Sequence, residues 1–232
     1  MILDSHRYNL AHLELIAHSL GDLLSEVTFV GGCTTLLFVD KAAIGGVRQT
    51  EDVDIIVDVA SLLEYQKFSK RLRALGFYED ISGPICRWKI RSGEAEIKLD
   101  VMPDSEEILG FSNRWYKDAM QYANAVTLPS GTQINVVAPG YFLATKFEAF
   151  LGRGKGNYFS HDLEDIVFVL ENRTDFMKEL FSYPDGLKTY LAQQAQALIN
   201  EEFLNVLPGL VLSPDGERAV LGYLKLMGSR FK

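Results

Sequence analysis

Apolar residues recur at helical spacing near the start of the chain. In MILDSHRYNLAHLELIAHSL, Leu10, Leu13, Ala17 and Leu20 fall on one face, Leu24 extends it, and the pattern predicts an amphipathic helix. VTFV at 27–30 reads as a short buried strand running into Gly31-Gly32, and CTTLLFVDKAA predicts a helix after that turn. VDIIV at 53–57 is a second strand, followed by a helix over SLLEYQKFSKRLRALG that Ser61 and Glu64 open as a capping box and Gly76 closes. CRWKI and EAEIKLDV flank Ser92-Gly93 as one hairpin, and AVTLPSGTQINVV folds back around Pro129–Gly131 as another. From Pro139 the pattern turns helical, over 140–151, 161–172, about 185–205, and a last helix opened by Ser213-Pro214. An α/β (α+β) domain with a mixed sheet over 1–138, followed by a helical domain over 139–232, is the expected organisation.

Composition narrows the function classes. At 232 residues, 47% hydrophobic and 23% charged, the chain can bury a sizeable core. A formal net charge of −8 argues against a surface shaped wholly for nucleic acid, and leaves only local basic clusters to consider. Cys33 and Cys86 form neither a disulfide framework nor a closely spaced zinc or redox pair, which suits a reducing cytoplasm. Asp4, Arg7 and Glu14 interrupt the first apolar stretch, so neither a signal-peptide core nor a membrane span is expected there or elsewhere.

The stretch RQTEDVDIIVD puts two carboxylates at the head of an apolar strand. Side chains alternate along a strand, so Asp52 and Asp54 share a face with Cα atoms roughly 6–7 Å apart. Such a pair can grip magnesium, which takes oxygen ligands and is held by one or two carboxylates with substrate phosphates. Two-metal transfer at phosphorus needs a third carboxylate. Asp100, polar at the end of the EAEIKLDV strand, is the candidate, with Glu96 as its substitute under a different register, while Asp58 reads as the strand's exit. The plain structural alternative is a strand end whose acids pair with Arg48 or Lys98. Against it stands Gly31-Gly32, a glycine turn after a strand, where backbone N–H groups can approach phosphate oxygens and Thr34 and Thr35 can add hydroxyls.

Taken together, FVGGCTTLLF, RQTEDVDIIVD, IKLDV and INVVAPGYFLATKFEAFLGRGKGNYFSHDLEDIVFVL resemble the bacterial nucleotidyltransferase-fold family that includes the AbiEii-type toxins of abortive-infection systems, over about residues 27–172. The resemblance implies a nucleotidyltransferase-like mixed sheet with a helical C-terminal domain completing the cleft. It also implies a nucleoside triphosphate held by Gly31 and Gly32, magnesium on Asp52 and Asp54, and a site completed by Lys146 with Asp162 or Asp165. Polymerase-like members carry Gly-Ser where this chain has Gly32-Cys33, so the phosphate-binding hydroxyl falls to Thr34 or Thr35. The expected reaction is nucleotidyl transfer to an acceptor hydroxyl, with two magnesium ions in the working complex. RNA or a small molecule of the antibiotic kind is the acceptor considered, and a cognate antitoxin the protein partner. The competing class is a non-catalytic member of the fold that only binds a partner.

Read on their own, the helical motifs carry less. Lys146 sits among Phe142, Leu143, Ala149 and Phe150, where a lysine either snorkels to water or serves as a held charge. Asp162 and Asp165 share a helix face; Asp162 fits the first turn after Ser160 with access to the site, and Asp165 is favoured as the partner of Lys146 or of a ligand. GRGKGN at 152–157 lacks the Walker ending and follows a helix, and His161 has no metal-ligand spacing to His6, His12 or His18. Arg87, Lys89 and Arg91 share one strand face. With Ser92-Gly93 as the turn, Lys89 opposes Glu96 and Arg87 opposes Lys98, a positive strip that can receive an acceptor's phosphate.

Overall fold

The structure, a computed structural model, describes residues 4–231. The chain divides into two compact units: residues up to Leu36 with Arg48–Ala138, and Leu37–Val47 with the chain from Pro139 onward.

The first unit is built on a seven-stranded mixed sheet in the order β3-β4-β5-β2-β1-β7-β6. Its strands are β1 (Val27–Val30), β2 (Asp52–Val57), β3 (Tyr78–Glu79), β4 (Arg87–Ser92), β5 (Ala95–Pro103), β6 (Asn124–Thr127) and β7 (Gln133–Val136). β2 lies antiparallel to β1 and parallel to β5, and β1 runs parallel to β7. All four residues of β1 are buried, as are Val53, Ile55, Ile56 and Val57 of β2 and Ile97, Leu99 and Val101 of β5. Central strands covered on both sides read as continuous apolar runs, which is why VTFV and VDIIV stood out.

Helix α1 (Ser5–Leu20) buries Leu13, Ile16, Ala17 and Leu20, and with them Asn9. In α2 (Leu62–Ala74) the Ser61 hydroxyl accepts from the Glu64 amide at 3.3 Å and the Glu64 carboxylate from the Ala60 amide at 2.7 Å, so the capping box forms one residue wider than the usual pattern. Tyr65 of α2 donates to the Val101 carbonyl at 3.1 Å, tying the helix to β5. Two short helices absent from the sequence reading, α3 (Glu106–Leu109) and α4 (Tyr116–Gln121), follow β5.

Two readings are corrected along this part of the chain. CTTLLFVDKAA is not a continuous helix: it forms 3₁₀ turns at Gly32–Leu37 and Lys41–Gly46. The β4–β5 turn is Gly93-Glu94, with Ser92 opposite Ala95, so Arg87 faces Asp100, Lys89 faces Lys98 and Arg91 faces Glu96. A two-residue shift keeps every side chain on its face and changes only its partner.

The helical unit comprises α5 (Pro139–Leu151), α6 (His161–Asn172), α7 (Phe176–Leu180), α8 (Asp185–Leu198), α9 (Glu201–Val206) and α10 (Gly216–Arg230). The helix expected over 185–205 breaks at Ile199-Asn200, where the Asn200 side chain accepts from the Phe203 amide at 3.0 Å and starts α9. Residues 37–47 belong here through Phe38, whose ring lies 4.7 Å from that of Phe142, and Asp40, whose amide donates to the Asn172 carbonyl at 2.9 Å. Among the described residues no helix is long and apolar enough to cross a membrane.

Candidate functional site

The sheet brings three of the expected carboxylates onto neighbouring strands. Asp52 and Asp54 begin β2, and Asp100 of β5 is the direct register partner of Asp54. Parallel neighbours stand about 4.8 Å apart, so the acids crowd one edge of the central sheet. Asp52 and Asp54 are half-buried and Asp100 is buried. Asp58 is exposed beyond the strand. Glu96 is not in this group; it accepts from Lys89 at 2.8 Å.

A cation is already drawn in among the acids, and it is Arg87. Its Nε and one terminal nitrogen donate to the two oxygens of Asp100 at 2.8 and 2.7 Å, and the same terminal nitrogen reaches Asp52 at 2.7 Å. Hydrogen bonding to Asp100, strengthened by the charges of Asp100 and Asp52, raises the guanidinium's already high pKa further. Asp52 thus meets neither Arg48 nor Lys98: Lys98 pairs with Glu51 at 2.6 Å. Two of the three cations expected as a strip on β4 are taken up by acids, since Lys89 is shared between Asp80 and Glu96 at 3.2 and 2.8 Å as Arg87 is between Asp100 and Asp52, while Arg91 lies over the Tyr78 ring.

Asp54 turns toward the glycine turn. Gly31 has φ +77°, and a Cβ on it would overlap the Asp54 carboxylate. A Cβ on Gly32 would overlap the Arg48 guanidinium and press on Thr50. The turn therefore lies against an acid on one side and a base on the other; the positive φ and the close carboxylate require glycine at Gly31, and a side chain at Gly32 would have to displace Arg48 and Thr50. Thr34 is fully buried and its hydroxyl donates to the Gly31 carbonyl at 2.7 Å; Thr35 is buried as well. The Thr34 hydroxyl is spent on the turn, whereas the Thr35 hydroxyl is buried without a hydrogen-bond partner. Cys33, beside them, is sealed from solvent, and burial pushes its thiol up to about 12.

Arg48 is the functional candidate that sequence reasoning passed over, while Arg87 was read only as part of a phosphate-receiving strip and not as a partner of the acids. Arg48 was visible as a cation four positions before Asp52 but was weighed only as a partner for the acids. Asn9 is a further omission. Buried in α1, it donates to the Arg48 carbonyl at 2.9 Å and accepts from the Thr50 amide at 3.0 Å, which fixes the approach to β2.

In the helical unit, Lys146 of α5 pairs with two carboxylates of α6, Asp162 at 3.1 Å and Asp165 at 2.7 Å. All three are buried. Arg153, from the GRGKGN loop, adds a second cation to Asp162 at 3.1 Å and is 76% exposed, so solvent reaches this cluster through it. Burial by itself would raise the Asp162 carboxyl, but the Lys146 charge and Arg153 outweigh it and hold it below the usual carboxylate range. His161 is exposed and bonds Glu164 at 2.7 Å.

The residues of the sheet edge suit a hard divalent cation, since their donors are all carboxylate oxygens and a positive group is already bound there. Among the described residues no three acidic, histidine or cysteine side chains are arranged around one metal position.

This mixed sheet and its helices define a nucleotidyltransferase-like fold. In particular, the chain is similar in structure to an antigenic nucleotidyltransferase-like protein from Paracoccidioides brasiliensis, with a TM-score of 0.50 and 18% sequence identity, over 91% of this chain and 96% of that one. No protein-family model and no curated protein sequence matches the chain. At this identity the likeness speaks to the fold, and the chemistry rests on the residues.

Proposed function

We propose that this protein is a magnesium-dependent nucleotidyltransferase that moves a nucleotidyl group from a nucleoside triphosphate to an acceptor hydroxyl. The observation that carries the reading is the placement of Asp52, Asp54 and Asp100 on adjacent central strands beside the Gly31-Gly32 turn, on a nucleotidyltransferase-like sheet. Asp52, Asp54 and Asp100 would hold magnesium, which supplies Lewis-acid charge for displacement at phosphorus. The acceptor oxygen forms a bond to the α-phosphorus as the bond to pyrophosphate breaks, and the hydroxyl proton leaves to the Asp100 carboxylate. The backbone of Gly31 and Gly32 and the Arg48 guanidinium beside it receive the triphosphate, since a planar cation over a glycine turn matches phosphate oxygens. Lys146 acts on an anion only if Asp162 or Asp165 releases it, so its first role is to brace α5 against α6.

The motifs that resemble AbiEii-type proteins support one further step, in which the transfer arrests growth and a cognate antitoxin restrains it. The central test is incubation with each α-labelled triphosphate, magnesium and total cell RNA or a small-molecule extract, with Asp52→Asn and Asp54→Asn alongside. Label should move to one acceptor class and stay on the triphosphate in both variants, with melting temperatures close to that of the parent chain. Full transfer by both variants overturns the assignment.

A further inference from the structure

The carboxylate edge holds its own counter-cation, and the way it is held suggests a second position for it. Arg87 stands opposite Asp100 because of the β4–β5 register, so its guanidinium is delivered to the acids by sheet pairing rather than by a flexible loop. The fork meets Asp100 through both oxygens and Asp52 through one, which leaves two carboxylates sharing a single positive charge. Asp54, the register partner of Asp100, adds a third carboxylate to the same edge. Two carboxylates on one guanidinium leave a net negative charge, and a divalent cation would balance it at a smaller size.

Release of Arg87 needs no repacking of the core. Its side chain is 17% exposed and lines an open groove of about 580 Å³ with Leu62, Glu79, Asp80, Ile81 and Ile85. The stem runs past Gly83, where a Cβ would come within 3.0 Å of Arg87 Cδ. Ile81 and Ile85 are exposed, so the groove wall on that side is open to water.

We propose that Arg87 is a resident counter-cation that a divalent metal displaces from Asp52 and Asp100, the freed guanidinium turning into the adjoining groove, where the Glu79 and Asp80 carboxylates line the wall. The inference rests on the transferase reading, because it takes the same carboxylates as metal ligands. Arg87 is a positioning residue in this scheme: it keeps the acids in register while no metal is bound, and its departure accompanies loading.

The test is direct binding of Mn²⁺, followed by electron paramagnetic resonance in the absence of nucleotide, on the full chain, Asp52→Asn, Arg87→Gln, Arg87→Lys and Arg87→Gln/Asp52→Asn. Arg87→Gln should bind Mn²⁺ at least tenfold more tightly than the parent chain, the double variant should lose that gain, and Arg87→Lys should fall between. Should Arg87→Gln not fold, as judged by circular dichroism, the Arg87→Lys comparison decides alone. Equal or weaker binding in the Arg87 variants, with parent binding abolished by Asp52→Asn, overturns the displacement and leaves the transferase reading standing. Absence of Mn²⁺ binding at millimolar concentration in every variant overturns both.

Discussion

The carboxylate of Asp54 occupies the space that a side chain on Gly31 would need. Gly31 also holds φ +77°, a left-handed conformation that costs an alanine about 1–2 kcal/mol, and overlap with a packed neighbour adds about 1–3 kcal/mol. Gly31→Ala should therefore lose about 2–5 kcal/mol in urea unfolding. Adding Asp54→Ala should recover the overlap but not the backbone strain. An unfolding midpoint for Gly31→Ala equal to the parent's would show that the turn relaxes freely.

Lys146 carries two buried carboxylates, so its removal should be costly. Lys146→Met leaves Asp162 with only the exposed Arg153 and takes the ammonium from Asp165, and breaking a buried pair in this way costs about 3–5 kcal/mol. Because the Asp162 carboxyl is held below its ordinary value, its contribution is fully present above the unfolded pKa of about 3.9 and is lost as pH falls through the lowered folded value. The parent chain should lose stability below about pH 4 more steeply than Asp162→Asn, as read from urea midpoints across that range. Parallel pH profiles for the two would remove Asp162 from the acid response.

What was legible in the chain was local. VTFV, VDIIV and the Ser61 cap announced themselves through apolar runs and one serine, and each forms where the pattern put it. The 33–43 stretch is equally apolar, but it crosses from one compact unit to the other, and that passage is made in short 3₁₀ turns rather than a helix. The pairing of Arg87 was hidden for a different reason: alternation assigns it a face, but only the turn decides its partner, and moving the turn from Ser92-Gly93 to Gly93-Glu94 gave it Asp100 in place of Lys98. Asn200 was a readable signal overlooked, an N-cap residue before Glu-Glu-Phe in the middle of an apparently continuous helix.

Both cysteines are buried, and burial pushes each thiol up to about 12. Since the thiolate is the reactive form, neither should react with a thiol reagent at pH 8 in the native protein, and both should react once guanidinium unfolds it. Rapid native labelling of Cys33 would mean that the glycine turn opens in solution, because Cys33 lies directly after Gly32 and is fully buried there.

Asn9 links α1 to the segment that leads into the carboxylate strand. Its side chain uses both ends, donating to the Arg48 carbonyl and accepting from the Thr50 amide and the Thr50 hydroxyl, the last at 3.2 Å. In an apolar helix face a lone asparagine with no exposure is tolerable only because those partners replace water. Asn9→Leu removes the donor and the acceptor together and leaves buried backbone groups unsatisfied, at about 1–3 kcal/mol for each. Asn9→Asp keeps an acceptor for Thr50 but takes the donor from the Arg48 carbonyl, so it should lie between the parent and Asn9→Leu. Hydrogen exchange at the Thr50 amide separates this role from general packing: exchange should quicken strongly in Asn9→Leu and less in Asn9→Asp. Unchanged exchange at Thr50, with stability lost all the same, would assign the effect to the helix face and not to the hold on residues 48–50.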